Sequence, residues 1–127
     1  MVTIQSGANS PLVLINTFTV ELENQDRLIE ILNEATEHVL KDLPGFVSAS
    51  IHHGHDGNKV AYYAQWEDRA SYDAMLENED VKRQLQAATQ LALKVEPVIY
   101  EVDECHERES HEPIPKFDLE ARDISAD

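Results

Sequence analysis

The stretch Pro44 to Tyr72, PGFVSASIHHGHDGNKVAYYAQWEDRASY, constrains this chain more than any other, because it spells a stop, a β-hairpin and a helix start with almost no slack. Pro44 disfavours helix at Leu43, and Gly45 tolerates the sharp turn that follows. From Phe46 to Ile51 apolar and small polar residues interleave. From Val60 to Trp66 the run is β-branched and aromatic, a composition that packs well on a pleated surface. Asp56-Gly57 between them is a strong two-residue hairpin signal, since a type I′ turn needs positive φ at both central positions. Counting outward from that turn pairs His55 with Asn58, His53 with Val60, Ile51 with Tyr62, Ala49 with Ala64 and Val47 with Trp66. One face of the sheet then carries Val47, Ala49, Ile51, His53, Val60, Tyr62, Ala64 and Trp66. A turn of odd length would place Phe46, Ser48, Ser50 and His52 there instead.

The other segments read as partners for this hairpin. LVLINTFTV, Leu12 to Val20, predicts a strand whose even side holds Leu12, Leu14, Asn16, Phe18 and Val20, one polar residue among four apolar ones. Asn24 is a candidate N-cap for a helix to about Leu40, with Leu28, Ile31, Leu32, Ala35 and Val39 forming a single stripe. Asp68 caps a short second helix whose inward residues are Tyr72, Met75 and Leu76. Val81, Leu85, Ala88 and Ala92 lie in register on a third, from Asp80 to about Leu93. VEPVIYEV, Val95 to Val102, predicts a last strand, and Pro97 marks it as an edge or an interrupted strand. Residues 1–10 read as a flexible lead-in, 11–104 as the folded domain and 105–127 as an acidic tail, extended or mobile.

The order β-α-β-β-α-α-β sets two strand–helix–strand units around a central hairpin. This is the α+β, ferredoxin-like split βαβ arrangement, an antiparallel four-stranded sheet with helices on one face. Val13, Ile15, Thr17, Ser48, Ser50, His52, Ala61, Tyr63 and Gln65 fall on the other face. That surface is too apolar in part to leave in water, so a homodimer with stacked sheets is expected.

Charge narrows the partners. Ten Lys and Arg against 25 Asp and Glu give a formal net charge of −15. This argues against nucleic acid and anionic membranes, which are held chiefly by basic side chains. The excess serves solubility or adaptation to salt. No apolar run approaches the roughly 20 residues needed to span a bilayer, and no basic region with an apolar core opens the chain, so a cytoplasmic protein is expected. Cys105, the single cysteine, fits a reducing compartment.

LINTFTV, PGFVSASIHHGHDG and KVAYYAQWEDRASYDAM together resemble the antibiotic biosynthesis monooxygenase family of dimeric α+β barrels over most of Leu12 to Met75. The resemblance implies oxidation of phenolic anthrones or quinols to quinones by O₂, with no metal or flavin, in a pocket between sheet and helices. Several relatives carry an Asn four residues before the Trp, where this chain has Tyr62. Some carry an Arg on the later helix, where ungapped counting from the Trp reaches Gln86. A haem-degrading branch uses a first-strand Asn, which Asn16 matches, the Trp, here Trp66, and an iron-ligating helical His. Gln65 to Cys105 contains no His, so haem turnover is not expected.

Trp66 and Tyr62 share a face by two-residue spacing, Ile51 lies on that face too, and Tyr72 opens the helix that covers it. Aromatic walls with a hydroxyl at the rim suit a flat phenolic ring, while a plain aromatic core is the ordinary alternative. Asn16, alone on an apolar face, must find a partner or line a cavity. His52 and His53 point to opposite faces, so a metal at the hairpin end is not expected. His53 faces the expected pocket and is a candidate base. No glycine-rich phosphate loop, nucleophile elbow or cysteine motif suggests a cofactor. These residues assign catalysis to Trp66, Tyr72, Asn16 and His53 and substrate binding to Tyr62, Ile51 and Gln86, for a small aromatic substrate and O₂. A second reading is a dimeric ligand-binding or stress-related module that keeps the fold without turnover, as Tyr62 and Gln86 would allow.

Overall fold

The computed structural model describes residues 11–108. Seven main elements follow one another: β1 (Leu12–Thr19), α1 (Gln25–His38), β2 (Phe46–His53), β3 (Lys59–Trp66), α2 (Arg69–Leu76), α3 (Glu79–Leu91) and β4 (Lys94–Tyr100). The strands form one antiparallel sheet in the order β2-β3-β1-β4, the ferredoxin-like α+β topology expected from the sequence. Pro97 sits on β4, an edge strand, where its missing N–H removes no bond from a central ladder.

The hairpin register is as counted from His53 to Ala49, but the turn differs from type I′. Only Gly57 has positive φ, at 86°, and Asp56 does not. Gly57 N–H donates to the Gly54 carbonyl at 3.1 Å, and Gly54 N–H donates to the Lys59 carbonyl at 2.8 Å. The loop is therefore four residues, His55 to Asn58. Two-residue and four-residue loops have the same parity, so the faces do not change. The positive φ is what favours glycine at 57, since the only atoms a Cβ would meet belong to the exposed, movable Leu22 side chain.

At the far end of β2 the expected pairing fails. Phe46, not Val47, stands opposite Trp66, and the register shifts between Phe46 and Ser48. A bulge of this kind sets two residues against one and re-aims a side chain. Here it brings the Phe46 ring edge-on to Trp66, with centroids 5.5 Å apart and planes at 87°. The buried contact accounts for the break in strict alternation.

The core lies between the helices and the face of the sheet bearing Leu14, Phe18, Val60, Tyr62, Ala64 and Trp66. The helices cover it with Leu28, Ile31 and Leu32 of α1, Tyr72 and Met75 of α2, and Val81 and Ala88 of α3. Asp68 caps α2 as expected, accepting from Ser71 N–H at 2.8 Å, and Asn78 caps α3 through the N–H groups of Asp80 and Val81. Asn24 does not cap α1: a 3₁₀ turn, Leu22–Asn24, leads into the helix, and the Asn24 side chain makes no capping bond. The helix closes at His38 rather than Leu40, followed by a second 3₁₀ turn, Leu40–Asp42. Residues 1–10 and most of the predicted tail lie outside the described residues, and 103–108 are exposed without regular structure.

Candidate active site

Alternation on β1 sends Leu14, Asn16 and Phe18 to the helical side of the sheet. Asn16 pairs with Tyr62 on β3 and with Pro97 on β4, so three strands present one row of side chains. Above that row is a cavity of about 340 Å³, at the lower end of the range for small-molecule sites. Leu32 and Ala35 of α1, Tyr72, Met75 and Leu76 of α2, and Val81, Gln84 and Leu85 of α3 close it. The wall is apolar and aromatic with few polar atoms.

Two of those polar atoms are unusual. Asn16 is 7% exposed and Trp66 1%, and neither Asn16 Oδ1 nor Trp66 Nε1 has a hydrogen-bond partner among the described residues. An unpaired buried polar group costs on the order of 1–3 kcal/mol, so two on residues of one cavity wall depart from ordinary packing; Gln65 Oε1, on the opposite face of the sheet, is a third such atom. The Asn16 and Trp66 atoms are complementary: Oδ1 needs a donor, and Nε1–H needs an acceptor.

The tyrosines add directed chemistry. Tyr62 OH and Thr36 Oγ1 lie 2.6 Å apart, and Thr36 Oγ1 also bonds the Leu32 carbonyl at 2.9 Å. Burial pushes the Tyr62 phenol above the ordinary tyrosine value, with the Thr36 hydrogen bond opposing it. Burial likewise raises Tyr72, against the Arg69 guanidinium, which stands 5.9 Å from the ring centroid. Both phenols therefore stay protonated near neutral pH.

Of the sequence-predicted site residues, the structure brings Asn16, Tyr62, Trp66 and Tyr72 onto this cavity. It does not bring His53, Ile51 or Gln86. The cavity lies over β3, β1 and β4, with Val95 and Pro97 in its wall, whereas β2 is the opposite edge of the sheet. Ile51 is half-buried beside it, and His53 is exposed at the hairpin end, too far along the strand for the helices to cover. Gln86 is exposed on α3 because it falls about 100° past Leu85 around the helix. Gln84 takes the inward place, sharing the stripe of Val81, Leu85 and Ala88. Helical phase, applied to the later helix in place of ungapped counting, would have selected Gln84. Phe46 packs on Trp66 without lining the cavity, through a bulge that has no signature in simple alternation.

His52 and His53 pair with Ala61 and Val60 and so face opposite ways, as expected for adjacent strand residues. Among the described residues no three His, Cys, Asp or Glu side chains are grouped to hold a metal ion, and no helix is long and apolar enough to cross a membrane.

The fold is shared with solved structures of small oxygenases. A monooxygenase from the gene ActVA-Orf6 of Streptomyces coelicolor, solved in complex with nanaomycin D, superposes with a TM-score of 0.68 at 26% identity, over 77% of this chain and 92% of that one. A variant of SnoaB, a cofactor-independent oxygenase from Streptomyces nogalater, has the same fold, with a TM-score of 0.70 at 18% identity over 77% and 97% of the two chains. The chain belongs to the antibiotic biosynthesis monooxygenase family, whose model matches residues 11–87. Within it, the tetracenomycin-F1 monooxygenase of Streptomyces glaucescens is 44% identical over 62 residues, 49% of this chain and 55% of that protein. The matched segment spans about half the length of that relative.

Proposed function

We propose that this protein is a cofactor-independent monooxygenase that oxidises an electron-rich phenolic ring, of the anthrone or quinol type, to a quinone with O₂. The observation that carries the reading is the pair of unpartnered buried atoms, Asn16 Oδ1 and Trp66 Nε1, on an aromatic cavity. A ring bearing a hydroxyl and a carbonyl, or a hydroxyl and a developing oxyanion, satisfies both. Loss of a substrate proton gives a carbanion or phenolate, which passes one electron to O₂. On an anthrone the radical pair collapses to a hydroperoxide at the former methylene carbon, and loss of water leaves the carbonyl, so one oxygen atom enters the product and the other leaves as water; a quinol, which already carries both oxygens, would give its quinone and hydrogen peroxide. The protein's part is to hold the ring in a dry slot and stabilise charge as it grows on oxygen. Among the described residues the cavity lining holds no carboxylate or imidazole, and both tyrosines are held protonated, so in this proposal water takes the proton.

The reading extends to the assembly. Ile15 lies between Tyr63 and Val98, and Val13 between Gln65 and Tyr100, on the sheet face without helices. Val13 and Gln65 are already buried within the single chain, contrary to the expectation of an uncovered Val13, whereas Val98 and Tyr100 are 45% and 46% exposed. Two such faces stacked in a homodimer would bury them, in a domain spanning 11–104 that works in the cytoplasm without nucleic acid or membrane.

The test is turnover of an anthrone under ¹⁸O₂. One labelled atom per quinone is expected, and Trp66→Phe should retain the fold but reduce turnover at least tenfold, equivalent to ~1.4 kcal/mol of barrier. Unlabelled product, or loss of stability with unchanged activity per folded molecule, would reject the proposal in favour of a plain core role.

A further inference from the structure

The cavity has a polar direction that its composition does not reveal. Thr36 has one hydroxyl proton, and a carbonyl can only accept, so the 2.9 Å bond to Leu32 consumes that proton. The 2.6 Å contact between Thr36 Oγ1 and Tyr62 OH must then be donated by the tyrosine. Thr36 bonds to the carbonyl four residues back in its own helix, a local arrangement that needs no ligand to set it. The Tyr62 proton is thereby committed to the protein, and its oxygen retains only lone pairs for anything in the cavity. Donation along the chain from Tyr62 to Thr36 to Leu32 also makes the phenol oxygen a stronger acceptor.

We propose that Tyr62 is a specificity-determining hydrogen-bond acceptor for a ring hydroxyl of the ligand, and that Thr36 is the positioning residue that fixes this polarity. The inference rests on the reading that the cavity holds a phenolic ring, and it deepens that reading. A free phenol can donate to Tyr62, whereas its methyl ether or its phenolate would set oxygen lone pairs against oxygen lone pairs. The hydroxyl seated at Tyr62 accordingly remains protonated in the complex, and the negative charge that reacts with O₂ develops elsewhere on the ring.

The experiment measures binding without turnover. 2-Naphthol and 2-methoxynaphthalene are titrated anaerobically into the full chain, with the single tryptophan, Trp66, as fluorescent reporter. Wild type should bind the phenol about fivefold more tightly than the ether, the worth of one hydrogen bond. Thr36→Val, nearly isosteric, frees the Tyr62 proton to donate to either oxygen, so the ratio should fall to near one, and Thr36→Ser should restore it. Tyr62→Phe provides an independent arm, because it removes the acceptor and should also erase the phenol's advantage. A ratio that survives Thr36→Val or Tyr62→Phe, an equal weakening of both probes, or a wild type without preference overturns the proposal while leaving ring binding intact. A wild type that binds neither probe overturns both.

Discussion

Asn16→Leu should make this protein more stable and less active. Asn16 stands between Leu14 and Phe18 on the inner face of β1, with Tyr62 and Pro97 across from it, and its Oδ1 is buried without a partner among the described residues. Removing that unpaired group relieves on the order of 1–3 kcal/mol. Leucine adds apolar area, and the cavity of about 340 Å³ gives the branched side chain somewhere to go. Taking ~1–2 kcal/mol as the net gain, Tm should rise by roughly 4–8 °C for a chain of this size. Thermal and urea unfolding at one protein concentration measure the gain, and the denaturant slope should be unchanged because the same surface is exposed. Oxidation of an anthrone, measured on the same preparation, should fall at least tenfold. Stability gained where activity is lost marks a polar group retained for a ligand. If Asn16→Leu instead destabilised the fold by 1 kcal/mol or more, the amide would be a satisfied structural element and the argument from unpaired atoms would fail.

Three further outcomes are expected. The pH profile of kcat/KM should rise with the substrate's own ionisation across about pH 6–9, because Tyr62 and Tyr72 are both raised above the ordinary tyrosine value and stay neutral there; a midpoint that stays fixed when substrates of different acidity are compared would show a protein base. Ile15→Glu, placing a charge in the row Tyr63-Ile15-Val98, should convert a dimer to a monomer by light scattering, and a wild type that is monomeric at micromolar concentration would refute sheet stacking. Gly57→Ala should cost roughly 1–2 kcal/mol in urea unfolding, since φ is 86°, and a loss under ~0.5 kcal/mol would mean that the turn relaxes easily.

How much was legible in the sequence follows from which signals are local. Parity along a strand depends only on residue count, so the residues alone place Asn16, Tyr62 and Trp66 on one face. The turn type could be misread without harm, because a four-residue loop preserves the parity of a two-residue one. The Phe46 bulge was hidden: it is decided by a tertiary contact with Trp66 and by nothing in VSAS itself. His53 and Ile51 were assigned to the right face but the wrong place along the sheet. A face is a one-dimensional property, whereas the cavity depends on which strands the helices leave underfilled. Gln86 failed for a different reason, since counting from Trp66 carried no helical phase and Gln84 is the residue turned inward.

Of the three buried side-chain polar atoms left unpaired among the described residues, two belong to residues that line the cavity. A well-specified core satisfies its polar atoms, and breaks in that consistency tend to fall at functional sites. Here Asn16 Oδ1 and Trp66 Nε1 are unpaired on the same cavity, and the β2 bulge turns Phe46 against the same Trp66. Away from the cavity Asp68 and Asn78 cap their helices, while Gln65 Oε1, on the opposite face of the sheet, is also buried without a partner among the described residues. Of the two cavity atoms one is an acceptor and the other a donor, and both residues line the same aromatic slot. Under the proposed function that complementarity suits an oxygenated ring that donates to Asn16 and accepts from Trp66. The proposed acceptor at Tyr62, oriented by Thr36, would add a third point of contact, and three points suffice to hold a flat ring in one orientation.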